Sequence, residues 1–69
     1  MNNILKSQIV LRFGTQTDFA VAADERAEKV SRVVRGRETL SSDERQKWAT
    51  LLRSDINELW AEEAKSDET

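Results

Sequence analysis

Five cations, Arg26, Lys29, Arg32, Arg35 and Arg37, stand against one acid, Glu28, in a short central stretch of this chain. Guanidinium groups stay charged at any working pH and offer a planar fork of N–H donors, which suits phosphate and the guanine edge. The chemistry this implies is anion recognition. A solvated charged face is the plain alternative, and charge by itself does not choose between them. Over the whole chain the cations are unevenly placed. Residues 1–37 hold seven Lys/Arg and four Asp/Glu, whereas residues 38–69 hold four and nine, so a basic half precedes an acidic one within a net charge of −2.

Other chemistry is harder to build. The chain has no His and no Cys, which removes Ser-His and Cys-His nucleophile pairs, disulfides and the usual zinc ligands. Paired carboxylates remain, but a chain of 69 residues offers little room for a water-excluding pocket around them. The expectation is a non-enzyme with no cofactor, no metal and no small-molecule substrate. No apolar run approaches the roughly 18 residues of a membrane span, and Met1-Asn2-Asn3-Ile4 lacks the charged and apolar parts of a signal peptide. A cytoplasmic protein is expected.

The elements that must carry the cations are legible from periodicity. Leu5, Ile9 and Phe13 recur every four residues, with Ile4 and Val10 alongside, and predict a helix from Asn3 to Phe13. Thr15 and Asp18 have the spacing of a capping box for a second helix, whose inner face is Phe19, Ala20 and Ala23. The chain then turns near Asp24. Ala27, Val30, Val33 and Val34 mark a third helix that ends at Gly36, and Gly14 ends the first. Ser41 and Glu44 form another capping box. Behind it run Trp48, Leu51, Leu52, Ile56, Leu59 and Trp60, on one long helix or on two broken near Ser54-Asp55, with Ser54 as a candidate cap. Domain organisation is a single unit over residues 1–64 and a polar, disordered tail over 65–69.

A short helix, a tight turn and a second, basic helix are the parts of a helix-turn-helix. Phe13-Gly14-Thr15-Gln16, Phe19-Ala20 and Val30-Ser31-Arg32-Val33-Val34-Arg35-Gly36 resemble the helix-turn-helix of phage Cro proteins and the lambda-repressor-like family. The resemblance covers about a third of the chain and extends weakly through Trp48 to Leu52. It departs from the family at Asp24-Glu25-Arg26, where a Gly and an apolar residue are usual. Either Glu25 pairs with a cation, or Asp24 caps the third helix and that helix starts earlier.

The resemblance implies an all-α, lambda-repressor-like domain of four to five helices that acts as a phage-type transcriptional regulator on double-stranded DNA. It implies base contacts from Ala27, Glu28, Ser31 and Arg32 on the third helix in the major groove. Phosphate contacts would come from Thr15, Gln16 and Thr17 at the start of the second helix, and from Arg26, Lys29, Arg35 and Arg37. Ordinary structural roles stand beside these: Thr15 and Gln16 as a cap, Glu28 and Arg32 as an exposed ion pair. Family members often dimerise through C-terminal parts, so Ile56, Leu59 and Trp60 are candidates for a homodimer interface, with packing inside the chain as the alternative. A protein-interaction module using the acidic C-terminal half, and RNA binding by residues 32–37, are the competing functions.

Overall fold

The computed structural model describes residues 1–61. Those residues form five α-helices and no strand: α1 (Asn3–Phe13), α2 (Gln16–Ala23), α3 (Ala27–Val34), α4 (Ser42–Leu52) and α5 (Ile56–Leu59). The expected tail over 65–69, and the domain boundary at 64, lie outside the described residues.

Each helix starts where a short polar side chain replaces a missing intrahelical partner, except α3. Asn2 Oδ1 accepts from Leu5 N at 3.0 Å, Thr15 Oγ1 from Asp18 N at 3.1 Å and Ser41 Oγ from Glu44 N at 3.3 Å. Glu44 returns the bond to Ser41 N and completes the capping box. The C-terminal stripe divides into two helices at the expected break. Its cap, however, is Asp55, whose carboxylate accepts from Asn57 N, and not Ser54. The Ser54 hydroxyl donates instead to the Leu52 carbonyl and to Gln8 Oε1.

Three helices stop the same way. At Asp24, Gly36 and Arg53 the backbone turns left-handed, with φ of 56°, 81° and 52°. Paired bonds then reach back over each last turn: Glu25 N to Ala20 O and Asp24 N to Val21 O, Arg37 N to Arg32 O and Gly36 N to Val33 O, Ser54 N to Ala49 O and Arg53 N to Thr50 O. This is the Schellman closure. Only one of the three positions is the glycine that adopts it freely.

The core draws on all five helices. Leu5 and Ile9 of α1 meet Phe19, Ala20 and Ala23 of α2, the three valines of α3, and Trp48, Ala49 and Leu52 of α4. Leu40 is buried from the α3–α4 connection. Phe13, Phe19 and Trp48 form an edge-to-face ladder, with ring centroids 5.2 and 5.0 Å apart. The buried stripe of α1 is narrower than expected: Ile4 and Val10 face outward, as does Leu11.

Leu59 and Trp60 are buried in the same core at 1% and 4% exposure, and Ile56 packs against it half-buried. Of the two readings of this stripe, Leu59 and Trp60 take the one in which they pack inside the chain, while Ile56 keeps part of its surface. A side chain with no exposed area has nothing to offer another chain, and Trp60 is further covered by the Arg45 guanidinium, 5.3 Å from its ring centroid.

Candidate nucleic-acid interface

Helix α3 is built to have two unlike sides. Val30, Val33 and Val34 fall within one arc of the helix and are buried, which turns Glu28, Arg32 and the following Arg35 to the opposite arc. Glu28, Arg32 and Arg35 are exposed, and Ser31 is half-buried at the edge of the same face. Of the four positions expected to meet base edges, Glu28, Ser31 and Arg32 share the side away from the valines, whereas Ala27 lies a heptad before Val34 and is exposed in the first turn.

The turn before α3 takes the first of the two geometries open from sequence. Asp24 ends α2, and α3 does not start at it; the cap position is Arg26, with no side-chain capping bond. Glu25 lies in the turn and pairs with Lys29 at 3.4 Å, its side chain only 17% exposed. A carboxylate at a site usually apolar is tolerated because a cation one helical turn away meets it. Ala20, 2% exposed, is a small buried residue of α2, the helix that packs against α3 as well as α1 and α4.

The cations divide into two sets. Lys29 hydrogen-bonds Glu44 as well as Glu25, so it joins α3 to the first turn of α4. The bond from Glu44 holds the Lys29 ammonium above its ordinary 10.5, with Glu25 adding to the effect against a partial loss of solvent. The same ammonium, with help from the Ser41 backbone N–H, holds the Glu44 carboxyl below its ordinary 4.5. Lys29 was expected at phosphate; its position gives it a structural task. Arg32 is 52% exposed and donates from Nε to Glu38 Oε1 at 3.0 Å. Arg26, Arg35 and Arg37 are exposed and have no carboxylate partner among the described residues. Three carboxylates that the local charge count ignored therefore fold onto two of the five cations.

Thr15 and Thr17 are exposed at the start of α2, and Gln16 is half-buried between them. Thr15 spends its hydroxyl oxygen on the Asp18 N–H, which is its capping role.

Two residues of this region were not singled out from sequence. Glu38 sits in a connection with no periodicity, and only its position six residues after Arg32, past the Gly36 turn, brings it back alongside α3. Asn2 caps α1, donates from Nδ2 to the Leu59 carbonyl at 2.6 Å, and gives its backbone N–H to the Val34 carbonyl at 2.7 Å. It fastens the last turn of α3 to the start of the chain. A polar residue before an apolar run signals the cap, but nothing in the sequence signals the partners 32 and 57 positions away.

Among the described residues no helix is long and apolar enough to cross a membrane, and no cluster of acidic side chains is arranged to hold a metal ion. Comparison of the chain with models of protein families, with characterised proteins and with solved structures finds no match.

Proposed function

We propose that this protein binds double-stranded DNA with sequence preference, as a transcriptional regulator of the lambda-repressor-like helix-turn-helix kind, with α3 in the major groove. The observation that supports the reading most is the division of α3. Its valines are buried and Glu28, Arg32 and Arg35 face solvent together, so a single exposed helix edge carries both a base-reading guanidinium and a phosphate-binding one. Arg26 and Arg37, which have no carboxylate partner among the described residues, stand just before and just after α3 and suit the backbone on either side. The base-contact set is Ala27, Glu28, Ser31 and Arg32; the phosphate set is Thr15, Gln16, Thr17, Arg26, Arg35 and Arg37. Lys29 leaves the phosphate set because Glu25 and Glu44 hold it. With Leu59 and Trp60 spent inside the chain, the reading describes one domain on one half-site.

The test is a titration of labelled duplexes selected from a random pool, repeated over a range of salt. Affinity should fall steeply with salt as counterions are released from the phosphates. Arg35→Ala should weaken all duplexes alike and reduce the log–log salt slope by about 1, while Arg32→Ala should relax preference at one base pair. Binding that ignores both substitutions would refute the groove assignment.

A further inference from the structure

We propose that Glu38 is a positioning residue for Arg32, holding its guanidinium in the plane and direction that base reading needs. The proposal rests on the reading of α3 as the groove helix.

The bond is made by Nε, and that choice of atom matters. A guanidinium engaged through Nε still has both terminal amino groups free, and the edge they form is the one that takes the O6 and N7 of a guanine bidentately. Arg32 does not have to release Glu38 in order to read a base. A long exposed arginine otherwise loses much rotamer freedom when it binds, and a partner that fixes it beforehand removes part of that cost.

Glu38 is itself held in place. Gly36 closes α3 in the left-handed conformation, with Arg37 N bonded to Arg32 O at 2.9 Å, which turns the chain back beside the last turn of the helix. Two residues after Glu38, Leu40 is buried in the core and anchors the segment from the other side. Between these fixed points the Glu38 side chain is two-thirds covered, at 32% exposure, against 52% for Arg32. The carboxylate is the less exposed partner and sits on a segment fixed at both ends, which suits it to orient the guanidinium.

The same carboxylate also places a negative charge beside the face offered to DNA, where it opposes phosphate. Orientation predicts lost preference at one base pair, repulsion an equal gain on every duplex with preference intact, and this separates them. Wild type, Glu38→Gln, Arg32→Ala and the double variant are compared at one salt concentration, on a duplex selected from a random pool and on that duplex with each base pair changed in turn. Thermal melts of each variant report on folding. Glu38→Gln should bind random duplex as tightly as wild type or more tightly, yet lose about five-fold in preference at the base pair that Arg32→Ala relaxes. In the Arg32→Ala background it should change no preference at all. Equal gains on every duplex with preference intact would overturn the proposal and leave Glu38 as a repulsive charge only. Equal losses on every duplex with a lowered melt would overturn it in favour of a folding role. Failure of the wild type to enrich any duplex would instead defeat the parent reading of α3, and this inference with it.

Discussion

Glu44 shows how much one side chain can decide. One of its oxygens closes the capping box with Ser41 and the other takes the ammonium of Lys29, so the start of α4 and the middle of α3 are held by a single carboxylate. Its folded value lies below the ordinary 4.5, so its contribution to stability is complete above that pH and is lost as acidification passes through the lowered value. The raised ammonium of Lys29 works the other way, contributing fully below 10.5 and losing its contribution as pH rises through the raised value. Between those limits the pair is intact. Glu44→Gln should therefore lower the urea midpoint at neutral pH and flatten its decline on acidification, as measured by circular dichroism from pH 7 to pH 3. A variant whose acid limb matches the wild type would show that the pair carries no linkage. Lys29→Met, by the same reasoning, should cost stability and leave the salt slope of duplex binding unchanged.

At the scale of the helix, the ends carry most of the information. Asp24 and Arg53 adopt a backbone conformation that disfavours a side chain by about 1–2 kcal/mol, and Asp is the more tolerant because its short polar chain can bond locally. Arg53 has no such compensation. Arg53→Gly should stabilise the domain by about 0.5–1 kcal/mol, read as a higher urea midpoint at unchanged slope, because glycine recovers the strain less its own entropy. A midpoint that falls would mean the arginine side chain is needed where it lies. At the other end of the molecule, Asn2→Ala removes a helix cap and the bond to the Leu59 carbonyl together. About 1–2 kcal/mol should be lost, and amide exchange should quicken in α5, whose Leu59 carbonyl loses its partner, as well as in α1. Exchange that quickens in α1 alone would confine Asn2 to its capping role.

For the molecule as a whole, the decisive fact is how few residues build the interior. A domain this small buries barely enough surface to fold, and α5, with four residues, contributes Leu59 and the adjoining Trp60 to it. Trp60→Ala should cost at least about 3 kcal/mol and largely unfold the chain at room temperature, a result that circular dichroism would report directly. A folded variant whose sedimentation shifts from dimer to monomer would restore the interface reading and remove Trp60 from the core. Among the described residues the large exposed apolar side chains lie elsewhere, at Met1, at Ile4, Val10 and Leu11 on α1 and at Val21 on α2.

The sequence alone determined the helical class, the bounds of α1, the cap at Ser41 and the burial of the α3 valines, and it left open whether the C-terminal stripe is one helix or two. Each feature it determined depends on spacing within about one or two turns, which local periodicity and capping chemistry report faithfully. Only the tertiary structure decided that Lys29 belongs to α4, that Arg32 has Glu38 at its Nε, that Asn2 latches α3 and that Trp60 is core. Those facts join residues brought together by chain reversals at Asp24, Gly36 and Arg53. At two of the three reversals, no glycine marks the place in the sequence, and a carboxylate's partner depends on which surfaces the reversals bring face to face.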